Sequence, residues 1–393
     1  MENFVFQNPT KIYFGKNAIS NINAELVKFG TNVLLVYGGG SIKRNGLYDT
    51  VIQCLKSAGK NITELSGVMP NPRREKVYEG ISYCKDKNID FILAVGGGSV
   101  IDCSKFVAAG AKTDDDFWES YLVNQKICNA ALPIGTILTL AGTGSEMNSG
   151  GVISDFENHL KLHYGSPLLF PKFSILDPSY TFSLPREQLI YGAVDAMSHI
   201  LESYFSAPDI SNVSDDLAES LFKSLMYNLD LALKKPKDYL PRSNLMWCCT
   251  LALNGLLSLG KEGDWMSHEI EHSLSAFYDI PHAVGLSIVH PNHLMYVLES
   301  SIPKFKRFAQ NVFGIEKKEM TDEQIARAGI SMLSNYFRSM NVPTTLGEIN
   351  VQSNDIPKLA ASVKTFPISY APKYCYDDVV AVLTNSLEII HYD

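Results

Sequence analysis

One local pattern, an apolar run that leads directly into a glycine triplet, occurs twice and constrains the fold of this chain most. Residues 32–37 run into a GGGS segment at 38–41, and residues 90–95 run into a second GGGS segment at 96–99. A helical pattern follows each segment. Strand, glycine loop and helix in immediate succession are typical of a parallel sheet with helices on its faces. The sequence therefore predicts an α/β, Rossmann-like domain in the N-terminal part.

Glycine usage divides the chain into two parts. Nineteen of the 27 glycines lie at or before Gly165. From about Leu184 onward, apolar residues recur with the helical period, for example in residues 215–233, 245–259 and 325–337. We expect an α/β domain in residues 1–183 and an all-α domain in residues 184–393, with a further strand of the first domain at 130–134.

The composition narrows the class of protein. The chain is 46% hydrophobic and 19% charged, which is typical of globular proteins, and its net charge of −8 argues against nucleic acid as a partner. The seven cysteines are odd in number and contain no C-x-x-C pair, which favours a reducing, cytoplasmic compartment. No signal peptide is expected, and no apolar run reaches the roughly 18 residues that span a membrane.

The glycine loops predict a nucleotide site. A glycine triplet after a buried strand lets backbone N–H groups approach a phosphate, and the N-terminus of the next helix adds a favourable dipole. Glycine is also common in turns without any function, and neither loop is a G-x-G-x-x-G or Walker A motif. Two such loops, together with a third loop of small residues at 139–146, favour a dinucleotide site.

The residues after the first loop bear on the kind of dinucleotide. An acidic residue after the strand usually holds the ribose 2′-hydroxyl of NAD, whereas a nearby cation suits the 2′-phosphate of NADP. No acid follows Tyr37, and Ser41, Lys43 and Arg44 follow the triplet instead. The sequence favours NADP(H), with NAD(H) as the alternative if these cations are only solvated.

Histidines and an aspartate recur at helical spacing in the second part of the chain. Asp195 and His199 are four residues apart, as are His268 and His272, so each pair shares one face of a helix. His282 follows shortly afterwards. These residues suggest a metal site of Asp195, His199, His268 and either His272 or His282. Three imidazoles and one carboxylate suit Fe²⁺ or Zn²⁺, either of which polarises a carbonyl group.

Other interpretations of the same residues compete. The string from His268 to His272 also fits the zinc-protease pattern H-E-x-x-H, but Ser275 and Tyr278 stand where a metzincin needs glycine and histidine. A protease has no use for two nucleotide loops. A nucleotide-dependent metalloenzyme like dehydroquinate synthase or glycerol dehydrogenase, or a nucleotide-binding regulatory protein, accounts for more. The other histidines are assigned to surface or packing: His159, His163, His290, His293 and His391.

Several motifs together resemble one family, the iron-containing (group III) alcohol dehydrogenases, and within it the NADPH-dependent butanol dehydrogenase and aldehyde reductase branch. The resemblance covers essentially the whole chain. It implies a dehydroquinate synthase-like architecture and hydride transfer between NADP(H) and a short-chain primary alcohol or aldehyde such as butanol or butyraldehyde. The motifs lie at 13–15, 38–44, 70–72, 96–102, 142–146, 195–199 and 263–282.

The resemblance also implies roles for individual residues. The metal ligands fall on Asp195, His199, His268 and His282, which leaves His272 beside the nicotinamide and substrate as a candidate for proton relay. The residues implied in cofactor binding are Gly39, Gly40, Ser41, Lys43, Asn71, Gly97, Gly98, Ser99, Asp102, Thr139 and Thr143. The family implies a homodimer.

Two positions depart from the family pattern. Leu140 replaces the second residue of a usual Thr-Thr pair and removes a possible hydroxyl group. Ala283 replaces a glycine that often follows the last ligand, and we expect no effect of this methyl group on metal binding.

Overall fold

The structure is a computed structural model that describes residues 1–206, 212–316, 319–363 and 374–388. Within these ranges the strands are β1 Lys11–Phe14, β2 Asn32–Tyr37, β3 Asn61–Leu65, β4 Phe91–Gly96, β5 Ile134–Leu138, β6 Gly150–Asp155, β7 Leu160–Gly165 and β8 Phe173–Leu176. The helices are α1 Ile22–Leu26, α2 Ser41–Arg44, α3 Leu47–Ser57, α4 Arg74–Asp86, α5 Gly98–Gly110, α6 Arg186–Tyr204, α7 Asn212–Lys234, α8 Tyr239–Ala252, α9 Met266–Tyr278, α10 His282–Val297, α11 Ile302–Phe313, α12 Asp322–Ser339, α13 Ile356–Ser362 and α14 Tyr376–Asn385.

Six strands form one sheet in the order β1-β8-β5-β4-β2-β3, and every pair in it is parallel. The predicted α/β class with a parallel sheet is confirmed. Because β2, β4 and β5 are neighbours and parallel, the loops that follow them leave the same edge of the sheet. This edge is where open α/β sheets usually bind their ligands.

Both faces of the sheet are covered, which explains why its strands are apolar without interruption. Alternate residues of β2 point to opposite faces. Leu34 and Val36 pack in the cluster that contains α4 and α5 residues, whereas Val33 and Leu35 pack in the cluster that contains α1 and α3 residues.

The chain forms two compact units. The sheet unit comprises Gln7–Gly192 and Asn228–Asn254, and the helical unit comprises Met1–Phe6, Ala193–Tyr227 and Gly255–Asp393. These units are discontinuous in sequence because α8 belongs to the sheet unit. The division into residues 1–183 and 184–393 stays a prediction. Among the described residues, no helix combines the length and the apolar character that crossing a membrane requires.

Aromatic stacking and close helix contacts build the core of the helical unit. The rings of Phe205 and Phe305 stack with their centroids 4.3 Å apart, and Phe308 lies edge-on to Phe205. Helices α11 and α12 approach closely at Gly329, where a Cβ atom would lie 2.6 Å from Cβ of Ala309.

Two local predictions need correction, and one pair of strands was missed. The strand predicted at 130–134 is β5, which begins only at Ile134, since the carbonyl of Pro133 is the first group to pair with β4. The helix predicted at 245–259 is α8, which begins earlier because Asp238 caps it and ends at Ala252. The antiparallel pair of β6 and β7 was not predicted.

Replacing Gly329 by valine should lower the free energy of unfolding by about 2 kcal/mol or more, because the added carbons overlap Ala309 in the α11–α12 contact. Met332 lies on the same helix with 41% of its surface exposed, so Met332→Val is the matched control and should be nearly neutral. Urea denaturation of both variants checks this. Equal stability of the two variants would contradict the packing argument.

Candidate active site

The second and third loops of the sheet unit lie against each other, and glycine is what permits this. A Cβ atom on Gly98 would lie 2.3 Å from Cγ2 of Thr143, and one on Gly97 would lie 3.0 Å from Cβ of Leu140. The backbone of Thr139 also donates a hydrogen bond to the carbonyl of Gly96. The structure thus brings Gly97, Gly98, Thr139 and Thr143 together at the N-terminus of α5, with Ser99 in its first turn.

The first loop is open. Apart from the adjacent residues of the chain, no described residue has an atom within 4 Å of a Cβ atom built on Gly39 or Gly40, so their backbone is accessible to a ligand. Gly40 has φ of 92°, a conformation that favours glycine, and Ser41 is exposed at the start of α2. Asn71 is buried with φ of 48°, which asparagine tolerates better than most residues.

Asp102 is bound within the sheet unit. One of its carboxylate oxygens accepts a 2.5 Å hydrogen bond from the hydroxyl of Ser145, and the other accepts the backbone N–H of Val152 at 3.0 Å. This carboxylate therefore connects α5 to the third loop and to β6.

A fully buried lysine supports the same loop. Lys105 Nζ donates to the hydroxyl of Ser145 at 2.8 Å, to the side-chain oxygen of Asn148 at 2.8 Å and to the carbonyl of Gly150 at 2.7 Å. Burial lowers the pKa of Lys105 to about 8, against the opposing effect of Asp102 and Glu146. Lys105 was not predicted as a site residue, although it lies one helical turn after Asp102 in the sequence.

Lys43 lies on an aromatic platform beside the first loop. Its Nζ is 5.1 Å from the ring centroid of Tyr37 and 4.6 Å from that of Tyr48. The hydroxyls of both tyrosines donate to Glu64, at 2.6 Å and 2.8 Å. A hydrogen bond with Tyr37 raises the pKa of Lys43. Glu64 was missed because it lies on β3, which pairs with β2 in space and not in sequence.

The helical unit brings the predicted aspartate and histidines together. Oδ1 of Asp195 lies 3.4 Å from Nε2 of His199 and 3.6 Å from Nε2 of His282. Ligand atoms of Asp195, His268 and His282 all lie within 4.8 Å of one another. The His199 and His268 rings lie nearly parallel, with centroids 5.0 Å apart. Helices α6, α9 and α10 therefore each contribute to one cluster.

This cluster fits a divalent metal ion. Asp195 Oδ1 and His268 Nε2 are buried and have no hydrogen-bond partner among the described residues. Buried polar atoms normally have a hydrogen-bond partner. Two neighbouring acceptor atoms that lack such a partner are therefore well suited to bind a cation. The donor set of imidazole and carboxylate suits Fe²⁺ or Zn²⁺.

Burial keeps these imidazoles in the form that binds metal. It lowers the pKa of His268 well below the ordinary value of 6.5, and His199, His282, His272 and His290 lower it further. Burial also lowers the pKa of His199, more than Asp195 raises it. A neutral imidazole offers a lone pair, whereas a protonated one repels a cation.

Two buried glutamates contact the candidate ligands from behind. Oε1 of Glu202 lies 2.9 Å from Nδ1 of His268, and Oε2 of Glu271 is hydrogen-bonded to Nδ1 of His282. Their side chains are 1% and 0% exposed. The sequence analysis missed both glutamates.

His272 lies close to the cluster. It forms a second group with Glu271 and His282, whose ligand atoms also lie within 4.8 Å of one another. Its ring centroid is 5.7 Å from that of His282 and 6.4 Å from that of His268.

Of the remaining histidines, the four that the structure describes join neither group. His159 and His163 are exposed, while His290 and His293 are buried in α10. His293 is hydrogen-bonded to Ser267 and Tyr374, both at 2.9 Å. His391 lies outside the described residues.

The glycine loops suit a nucleotide and the carboxylate–imidazole cluster suits a metal ion, which together are typical of a nucleotide-dependent metalloenzyme, and comparison with known proteins identifies the family. The family model described as iron-containing alcohol dehydrogenase matches residues 9–178. The model of the C-terminal part of the Fe-containing alcohol dehydrogenase family matches residues 189–387. The chain belongs to the iron-containing alcohol dehydrogenase family. The expected architecture, oxidoreductase class and NAD(P)-dependent alcohol or aldehyde chemistry are thereby confirmed at family level.

Similar proteins span almost the full chain. It is 48% identical over 388 residues to "Probable NADH-dependent butanol dehydrogenase 1" of Bacillus subtilis, covering 98% of this chain and 100% of that protein. It is 37% identical to the "NADPH-dependent aldehyde reductase YqhD" of Escherichia coli, covering 91% and 92%. The crystal structure of an NADH-dependent butanol dehydrogenase A from Thermotoga maritima is similar with a TM-score of 0.94 at 40% identity, covering 99% of each chain.

Lys105→Met should change how stability depends on pH. The pKa of Lys105 falls from 10.5 to about 8 on folding, so the unfolded chain binds more protons at this site between those pH values. The contribution of Lys105 to the free energy of unfolding therefore rises with pH across this window, by about 3 kcal/mol in all.

Urea denaturation of wild type and Lys105→Met between about pH 8 and about pH 10 measures this. The stability difference between the two proteins should shift towards the wild type as pH rises. A difference that stays constant would contradict the burial of a titrating ammonium group.

Proposed function

We propose that this chain reduces short-chain aldehydes such as butyraldehyde to primary alcohols, and catalyses the reverse reaction, with NADP(H) and a metal ion, Fe²⁺ or Zn²⁺. The observation that carries the proposal is the convergence of Asp195, His268 and His282, in which the buried atoms Asp195 Oδ1 and His268 Nε2 have no hydrogen-bond partner among the described residues. In support, similar proteins carry the names butanol dehydrogenase and aldehyde reductase.

The proposed ligands are Asp195, His199, His268 and His282. When bound, the nicotinamide supplies the hydride and the divalent ion supplies positive charge beside the substrate oxygen. Asp195 offers the only carboxylate among the four ligands, and the burial of the cluster excludes water from it. His272 lies within reach of the cluster without being one of the four, which supports a role in passing a proton to the alkoxide.

The proposed cofactor residues lie in the sheet unit. Backbone N–H groups of Gly97, Gly98 and Ser99 at the N-terminus of α5 suit the pyrophosphate. Asn71, Asp102, Thr139 and Thr143 are proposed nearer the nicotinamide. The open residues Gly39, Gly40 and Ser41 and the cation of Lys43 are proposed to hold the 2′-phosphate of NADP(H).

We further propose a cytoplasmic homodimer. The absence of any C-x-x-C pair supports the compartment. Phe4, Val5 and Phe6 are 49%, 94% and 47% exposed, which supports an apolar contact with a second copy of the chain.

The overall proposal is tested by mixing the purified protein, loaded anaerobically with Fe²⁺ or separately with Zn²⁺, with butyraldehyde and either NADPH or NADH. Oxidation of one of the cofactors is expected. Consumption of neither, with either metal, would overturn the proposed function.

Substitutions should separate the ligands from the proton relay. His268→Ala should lose stoichiometric metal and reduce turnover to background. His272→Ala should retain the metal but lower kcat by about 100-fold, because general acid–base groups contribute at least this much. Metal analysis and steady-state kinetics on both variants check the assignment. Metal loss in His272→Ala, or full activity in His268→Ala, would show that the ligand set is wrong.

Lys43→Ala should lower kcat/KM for NADPH by about 10-fold while kcat/KM for NADH changes little, because only NADPH carries the 2′-phosphate that the ammonium group would bind. Arg44→Ala, at the neighbouring exposed cation, is the matched comparison and should have a smaller effect. An equal loss with both cofactors in Lys43→Ala would assign this lysine a structural role.

A further inference from the structure

We infer that Glu202 and Glu271 are positioning residues that hold Nδ1 of His268 and His282, so that each ring presents Nε2 to the metal ion. This inference rests on the proposed function, in which both histidines are ligands. Neither of these buried carboxylates belongs to the proposed set of metal ligands, and the inference gives each of them a role.

The geometry around Glu202 determines which nitrogen of His268 carries the proton. Oε1 of Glu202 accepts the backbone N–H of His268 at 3.1 Å and lies 2.9 Å from Nδ1 of the same residue. An ionised carboxylate only accepts hydrogen bonds, so with Glu202 ionised the donor in this contact is Nδ1 of His268. Its Nε2, buried and without a hydrogen-bond partner among the described residues, then carries the lone pair.

Glu271, which lies on α9, has the same role for His282. One carboxylate oxygen accepts the hydroxyl proton of Ser275, and the other is hydrogen-bonded to Nδ1 of His282. Nε2 of His282 then faces Oδ1 of Asp195 at 3.6 Å. Both oxygens of Glu271 are therefore engaged away from Asp195.

Gly285 makes the room that Glu271 occupies. A Cβ atom at position 285 would lie 2.6 Å from Cγ and 3.0 Å from Oε1 of Glu271. Glycine inside a helix lowers helix stability by about 1 kcal/mol relative to alanine. In α10 this glycine lies one turn after His282. The close approach of α9 and α10 at this point is what places the carboxylate behind the ligand.

The contacts of Glu271 also argue against its being a metal ligand itself. Glu271, His272 and His282 form a group whose spacing would allow a metal ion. The hydrogen bonds to Ser275 and to Nδ1 of His282 use the oxygens that such an ion would need. A carboxylate behind a metal-bound imidazole orients the ring and strengthens it as a donor, and its loss typically weakens metal binding about 10- to 100-fold.

The experiment measures Zn²⁺ affinity of the full chain by competition with a chelator. Glu271→Leu removes the acceptor and should weaken Zn²⁺ binding about 10- to 100-fold. Glu271→Gln keeps an acceptor oxygen and should restore most of the affinity. Glu269→Gln, on the same helix at a partly exposed position, is the control and should bind as the wild type does.

Gly285→Ala provides a variant that retains the carboxylate but displaces it, and it should also weaken Zn²⁺ binding. Gly285→Ala replaces Glu271→Leu in the affinity measurement if Glu271→Leu does not fold, as judged by near-UV circular dichroism. In the Zn²⁺-loaded wild type with ¹⁵N-labelled histidine, NMR should show the Nδ1–H form for His268 and His282. Glu202→Gln should retain that form for His268.

Wild-type affinity in folded Glu271→Leu or in Gly285→Ala, or an Nε2–H form in the wild type, would overturn the positioning role. Loss of binding in Glu271→Gln as severe as in His282→Ala would overturn it in favour of direct ligation. Failure of the proposed function gives a different result, since the wild type itself would then bind no stoichiometric Zn²⁺ or Fe²⁺.

Discussion

The burial of one carboxylate and several imidazoles at the meeting point of α6, α9 and α10 is the constraint on which the helical unit depends. Taking Asp195 and its neighbours out of water is costly, and the cost is recovered only if each polar atom finds a partner. Glu202 and Glu271 provide hydrogen-bond partners for some of these atoms. Asp195 Oδ1 and His268 Nε2 have no such partner among the described residues, and a cation would supply one. Because burial lowers the pKa of His199 and His268 and so favours their neutral form, this arrangement suits a metal ion better than a network of ion pairs.

The sheet unit meets a different constraint, close approach of backbone to backbone. The third loop can lie against the start of α5 only because positions 97 and 98 have no side chain. Underneath, the ammonium group of Lys105 and the carboxylate of Asp102 tie that loop to α5 and to β6. The conformation of these loops therefore depends on a buried polar network as well as on glycine.

The surroundings of the first glycine loop differ from what the order of residues along the chain indicates. Along the sequence no acid follows Tyr37, which favours a 2′-phosphate. In the structure an acid is nevertheless close, since Glu64 on the neighbouring strand accepts hydrogen bonds from Tyr37 and Tyr48. Its charge is engaged by these hydroxyls and balanced by Lys43, which lies over both rings. Lys43 therefore places a positive charge beside the first loop. The two tyrosines beneath it are hydrogen-bonded to the carboxylate of Glu64.

By itself the sequence determined the parallel sheet, the glycine loops that follow its strands, and the faces shared by Asp195 with His199 and by His268 with His272. These follow from local periodicity and from glycine, and neighbouring residues suffice to establish them. Tertiary structure alone decided the partners of the histidines. Glu202 lies one turn from His199 yet is hydrogen-bonded to His268, and Glu271 lies one turn from His268 yet is hydrogen-bonded to His282. Spacing along a helix sets the direction of a side chain, but the packing of one helix against another sets what that side chain meets.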